Sequence, residues 1–298
     1  FLYTNFLSDE YYGLVAFVLS SANIMMPIMA FGVHNAIVKF YSAYNSKQGL
    51  DSFLTLMLFL PLAVILPIGI TGCIFYEAIS AFLTTNNEIV KPYIWPMFAI
   101  AIAMAYFEVF YAWSKVQLQT VFGNVMKEVF HRVLIAMLLG AVYFNWLTAN
   151  QFIYALVVVY ALRMVLMKVY AYILKPPSLR FRKIANINQV LTYSSLMVVA
   201  GSVAMIILDI DKFMVGLMIP QIENVAYYSV AIFIATVIAV PQRAMHQIMM
   251  PLTAQYLNTK AYTKLSNLYE RSSLNLLIIS GLVFLLIVLN INQLYKML

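Results

Sequence analysis

Charge is scarce in this chain. Only 10% of its 298 residues are Asp, Glu, Lys or Arg, against 64% hydrophobic, whereas a soluble domain carries about a quarter charged residues. A water-exposed surface cannot be covered with so little charge, which excludes an ordinary soluble fold and with it a count of soluble domains from length. Cysteine is almost absent: Cys73 is the single one, so no internal disulfide can form. No histidine, cysteine and carboxylate cluster has metal-ligand spacing and no glycine-rich phosphate loop occurs, so the sequence calls for no cofactor. A basic stretch, short apolar core and small-residue cleavage site are also missing, so nothing reads as a signal peptide. The chain opens without methionine on Phe1-Leu2-Tyr3, which reads as the tail of a helix, so an upstream segment is expected.

What is abundant is long apolar runs. A helix needs about twenty apolar residues to cross the hydrocarbon, because each residue advances about 1.5 Å and backbone groups cannot stay unpaired in lipid. Eight stretches approach that test: Tyr12 to Val33, Phe53 to Phe75, Pro92 to Trp113, Phe130 to Leu147, Phe152 to Ile173, Val190 to Ile210, Val225 to Val240 and Leu274 to Leu289. The fourth has the shortest strongly apolar part. The fold expected is all-α, a polytopic membrane helix bundle.

Basic residues orient it, since Lys and Arg collect on the cytoplasmic side of short loops. With the first connection outside, the inner segments hold Lys39 and Lys47; Lys115, Lys127 and Arg132; Arg163, Lys168, Lys175, Arg180, Arg182 and Lys183; and Arg243, Lys260, Lys264 and Arg271. These are fifteen of the eighteen basic residues. Asp9, Glu10, Glu77, Glu88 and Glu223 gather on the other side. The net charge of +7 is thereby explained as topology and gives no reason to expect nucleic acid. Trp95, Trp113 and Trp146 fall near helix ends, where amphipathic rings prefer the interface. Pro27, Pro61, Pro67, Pro96 and Pro241 fall inside spans, where each removes a backbone donor and either bends the helix toward a cavity or is accommodated by packing.

The run from Lys175 to Lys183 is the least apolar of any length and reads as a linker, giving an N-terminal bundle over 1–174, a basic cytoplasmic linker over 175–189 and a partial second bundle over 190–298. Tyr12-Gly13-Leu14-Val15-Ala16-Phe17 compares with Tyr228-Ser229-Val230-Ala231-Ile232-Phe233, and Asn45-Ser46-Lys47 with Asn258-Thr259-Lys260. Both copies run outside to inside, so two pseudo-symmetric halves would be parallel repeats.

Charge within a span costs a few kilocalories per mole and so usually faces protein or a water-filled cavity. Glu108, about 24 Å along the third span, reads either as an ion-coupling carboxylate or as one packed against a neighbouring helix. Asp209, Asp211 and Lys212 interrupt the sixth span, with Asp209 and Lys212 three apart on one face. If the helix continues through Phe213 to Met218 they form an intramembrane pair; if it stops, a solvated end. Arg243, two residues after Pro241, suits phosphate recognition through its guanidinium fork, and equally suits a positive-inside anchor. Asn23, His34, Asn35 and Lys39 form a polar series, matched later by His246 and Gln247; a lone histidine on an apolar helix is more often packed than a ligand.

Glu10-Tyr11-Tyr12-Gly13-Leu14, Asn23-Ile24-Met25-Met26-Pro27 and Phe31 through Tyr41 resemble the second helix of bacterial polysaccharide exporters, in the multidrug, oligosaccharidyl-lipid and polysaccharide exporter superfamily. Leu208 through Gly216 resembles that family's seventh helix, and Val225 through Ala231 its eighth. The resemblance implies a multidrug-exporter-like fold of two six-helix bundles around a central cavity, working by alternating access, of which this chain lacks the first helix and the last three or more. It implies a flippase for an undecaprenyl-pyrophosphate-linked oligosaccharide in the bacterial inner membrane, serving polysaccharide or lipopolysaccharide (O-antigen) biosynthesis. Lys212, Arg243, Lys39 and Asn35 would contact substrate, and Glu108, Asp209 and Asp211 would couple ions. Partners would be the lipid-linked saccharide, membrane lipid and the polysaccharide polymerase machinery. A multidrug or cation antiporter would instead need a cavity of acids and aromatics. A membrane glycan polymerase or ligase, an enzyme, would need a larger outer loop.

Overall fold

A computed structural model describes residues 2–44, 46–179, 186–242, 245, 249, 252–253, 256–257 and 259–297. Among the described residues the regular structure is helical, with no strand. The principal helices are α1 (Asp9–Ala30), α2 (Val33–Phe40), α3 (Lys47–Ile74), α4 (Ile94–Lys115), α5 (His131–Tyr143), α6 (Ala149–Leu174), α7 (Ile187–Met218), α8 (Glu223–Val237) and α9 (Tyr262–Leu289). Among the described residues five stretches are long and apolar enough to cross a membrane: α1, α3, Glu88–Lys115, α6 and α9.

Local chemistry sets the helix starts. Ser8 and Ser46 cap α1 and α3 with side-chain oxygens that accept from the backbone of Tyr11 and Gly49, and Thr148 with Gln151 forms a reciprocal capping box at α6. The weak fourth span is explained by its backbone. Helix Val121–Val125 runs through a π-turn at Met126–Phe130 into α5, so a helical path of spanning length exists although its apolar part is short. Pro61 and Pro67 sit within α3 without ending it. Pro96 lies in the first turn of α4 rather than inside it, where the missing donor would be unpaired anyway.

The structure divides into two compact units, Leu2–Ala226 and Tyr227–Leu298. In the first, α4 is the central post: α1, α2 and α6 pack on it, and α7 packs on α1 and α2. One apolar core, around Leu14, Phe17, Ile100, Phe152 and Leu156, lies between α1, α4 and α6. A second, around Ile37, Phe53, Met57, Phe107, Trp113 and Met167, lies toward the end that the charge pattern assigns to the cytoplasm. In the second unit, α9 buries only 6% of its most apolar window, and Ser280 Oγ donates to the Ile238 carbonyl at 3.3 Å.

One placement corrects the charge map. Arg163 and Lys168 lie within α6 and not in an inner connection. Arg163 is 7% exposed. The apolar run from Phe152 to Ile173 continues through both because Arg163 stacks its guanidinium on Phe107, 3.8 Å from the ring centroid, while Lys168 stands on the exposed side.

Candidate functional site

Three polar groups lie within the first unit. The nearest to the cytoplasmic end follows from a break in the helix. α1 ends at Phe31 (φ 47°) and α2 begins at Gly32 (φ 62°), both left-handed. Glycine is needed at 32 twice over: the conformation disfavours a side chain, and a Cβ there would run into the Ser194 carbonyl of α7. The break redirects α2 so that Lys39 is exposed with its Nζ 3.8 Å from the Tyr193 ring centroid, a cation–π arrangement. Lys39, Asn188, Gln189, Thr192 and Tyr193 line an open groove of about 530 Å³ between α2 and α7. Asn35 is committed locally, its Nδ2 3.1 Å from His34 Nε2. The His34 Nδ1 is buried without a hydrogen-bond partner, and burial lowers the imidazole's pKa from its ordinary value, favouring the neutral ring.

A second group joins α1 to α7. The helix does not stop at Asp209 but continues to Met218. Lys212 Nζ donates to Asp209 Oδ1 at 3.0 Å, and Asn23 Nδ2 of α1 donates to Asp209 Oδ2 at 3.0 Å. Both carboxylate oxygens are thus engaged, and the side chains are 21% (Lys212) and 15% (Asp209) exposed. Asp211, two residues on, lies on the exposed side. The next turn is packed tightly: Phe213 stacks on Phe17 at 5.4 Å, and Gly216 lies so close to Phe17 that a Cβ could not be accommodated without displacing the ring.

The third group is centred on Glu108 in α4. Lys127 reaches it from the π-turn at 2.6 Å, with Glu108 12% exposed. A π-turn inserts one residue into the helical repeat and so re-aims the side chains around it. Lys115 Nζ stands 4.0 Å from the Tyr111 ring centroid, whose hydroxyl donates to Asn124. The charge of Glu108 also acts on His34, Lys115 and Arg163. Lys127 is the cation in ion-pair contact with it among the described residues. Arg163 has no carboxylate within ion-pair distance among the described residues, and its Nε is buried without a hydrogen-bond partner.

Of the residues expected from sequence, Asp209 and Lys212 are brought together, and Asn35 and Lys39 share α2 near the groove. Glu108 belongs to a different group. Arg243, like His246, lies outside the described residues. Lys127 and Arg163 also belong to these groups, although the charge pattern by itself assigns both to inner segments. Arg163 had a signal, since it falls inside an apolar run. Lys127 had none, because its partner is nineteen residues away and meets it only through the π-turn. Among the described residues no group of three or more His, Cys, Asp or Glu could hold a metal ion.

Long apolar helices, ion pairs folded inward and an almost bare α9 together define a multi-pass α-helical membrane protein. More particularly, the chain belongs to the polysaccharide biosynthesis protein family, whose sequence model matches residues 1–257. No curated protein and no solved structure matches it.

Proposed function

We propose that this protein is a flippase that moves an undecaprenyl-pyrophosphate-linked oligosaccharide across the bacterial inner membrane. It is a transporter rather than an enzyme, and it supplies polysaccharide or lipopolysaccharide assembly. The observation that carries the reading is the family match taken together with charge retained inside the helical unit. Each such group costs a few kilocalories per mole unless it is paired or used, and here Asp209 with Lys212 and Glu108 with Lys127 are retained on apolar helices.

In this reading Lys39, exposed at the groove's lip, meets the pyrophosphate first, with Asn35 one turn before it on the same helix. Lys212 takes it up next by exchanging Asp209 for phosphate, and Arg243 contributes from its place two residues after Pro241. Glu108, Asp209 and Asp211 couple the ion gradient, since a carboxylate that loses its cation to the substrate gains affinity for a proton or metal cation. The glycan is handed to the polymerase machinery on the outer side, while the lipid tail stays in the bilayer.

Deleting the gene should abolish surface glycan and leave the lipid-linked repeat unit facing the cytoplasm. Deletion without that accumulation would remove the flippase reading. Lys212→Ala, Lys39→Ala and Arg243→Ala should each reduce export, and normal export by all three would leave the family but overturn the cation assignment.

A further inference from the structure

Between α1, α3, α4, the short helix Tyr76–Thr84 and α7 lies an apolar chamber of about 450 Å³, among whose walls are Ile68, Gly72, Tyr76, Trp95, Phe98 and Phe213. That size is within the range of small-molecule sites, which run from about 300 to 1,000 Å³. We propose that this chamber holds one acyl chain of a bilayer phospholipid. The proposal needs only that the chain spans a membrane, and it stands apart from the flippase reading.

The walls select hydrocarbon. Most of the wall is apolar; of its polar members Ser21 already donates its hydroxyl to the Phe17 carbonyl at 2.7 Å, which leaves Thr71 and the polar edges of Tyr76 and Trp95 as the groups a sugar or phosphate could meet. Apolar cavities of this kind stay dry and take apolar guests. Volume selects the kind of hydrocarbon. At about 30 Å³ for a water-sized group, the chamber takes about fifteen methylenes. That is one acyl chain, whereas a long polyprenyl tail does not fit whole.

The surroundings supply the lipid. Leu66, Ile70 and Ile74 recur every four residues on the other face of α3 and are 54%, 59% and 71% exposed, so the helix separating chamber from surroundings has hydrocarbon on its outer side. At one end Trp95, 43% exposed, stacks on Tyr76 with centroids 6.2 Å apart and planes 3° from parallel, and meets Phe98 edge-on at 5.9 Å. Amphipathic rings of this kind settle at the headgroup level, which places the chamber's mouth where an acyl chain leaves its glycerol. Gly72 lines the chamber, and a Cβ built there meets no atom within 4 Å, so a side chain can be added at that wall without a clash.

The same glycine provides the test. The full chain is reconstituted in nanodiscs of phosphatidylethanolamine bearing a diazirine in one acyl chain, irradiated, and its peptides are mapped by mass spectrometry. Labelling should concentrate on the peptides carrying residues 68–76 and 94–98. Gly72→Leu fills the chamber without a backbone clash and should cut that labelling at least about tenfold, because each methylene it displaces was contributing burial energy to binding. Gly140→Leu also points into open space but lies away from the chamber, and should leave labelling unchanged. Phe98→Trp narrows the chamber from α4 and serves as the second variant should Gly72→Leu fail to fold. Equal labelling in wild type and a folded filling variant, or labelling spread evenly over exposed faces such as α9, overturns the proposal. Displacement of the label by a short polyprenyl phosphate at equal concentration also overturns it, assigning the chamber to a carrier lipid instead.

Discussion

The two less exposed of the three ion pairs among the described residues of the first unit are built differently. Asp209 and Lys212 are neighbours on one helix, three residues apart, and would meet in the isolated segment as well; what the fold adds is Asn23 from α1. Glu108 and Lys127 are on separate helical stretches and meet only because a π-turn and the packing around α4 bring them together. The first pair is local chemistry tied down by the bundle. The second is made by the bundle. A perturbation should therefore spread further from Glu108 than from Asp209, and this difference can be measured.

The largest effect is expected at Glu108. Its replacement by Ala leaves Lys127 without the carboxylate it pairs with, and because the side chains are 12% (Glu108) and 36% (Lys127) exposed the loss should be about 2–3 kcal/mol, below that of a fully buried pair. Thermal unfolding of the detergent-purified protein should show that loss. Lys127→Ala should be milder, because Lys127 is 36% exposed and Glu108 keeps other cations nearby. An equal or greater loss from Lys127→Ala would show that the carboxylate is not the centre of the group.

Asp209→Ala should cost less, about 1–2 kcal/mol, since Lys212 can extend toward polar surroundings while the bond from Asn23 is lost. A double-mutant cycle with Asn23→Ala should give a coupling of about 1 kcal/mol. Zero coupling would mean that the tie between α1 and α7 rests on packing alone. The smallest effect belongs to Glu128, whose bridge to Arg132 joins side chains 60% and 70% exposed. Glu128→Ala should change stability by no more than about 0.5 kcal/mol, as exposed pairs do.

Much of the fold was legible because a membrane imposes a simple rule on sequence: every backbone group must be satisfied within its own helix. Each apolar run read from the sequence is largely helical, although the first crosses the break at Phe31 and Gly32 and the fourth and seventh outlast α5 and α8, and Asp209 pairs with Lys212 as their spacing allows. Arg163 departs from the charge pattern because positive charge marks the aqueous side only on average, while an aromatic face inside the bundle, here Phe107, can hold a guanidinium as well. Lys127 could not be read at all. The π-turn that aims it has no sequence signature as plain as a proline or a glycine.

The sequence by itself determined that this chain is helical and threads a bilayer, because hydropathy over twenty residues and the scarcity of charge are one-dimensional properties. It also carried the family, whose pattern runs along the chain in order. Only the tertiary structure decided which carboxylate meets which cation, that Gly32 must turn left-handed beneath Ser194, and that an apolar chamber adjoins α3. Those are matters of distance between segments far apart in sequence, and they are set by how side chains of particular shape pack once the helices are side by side.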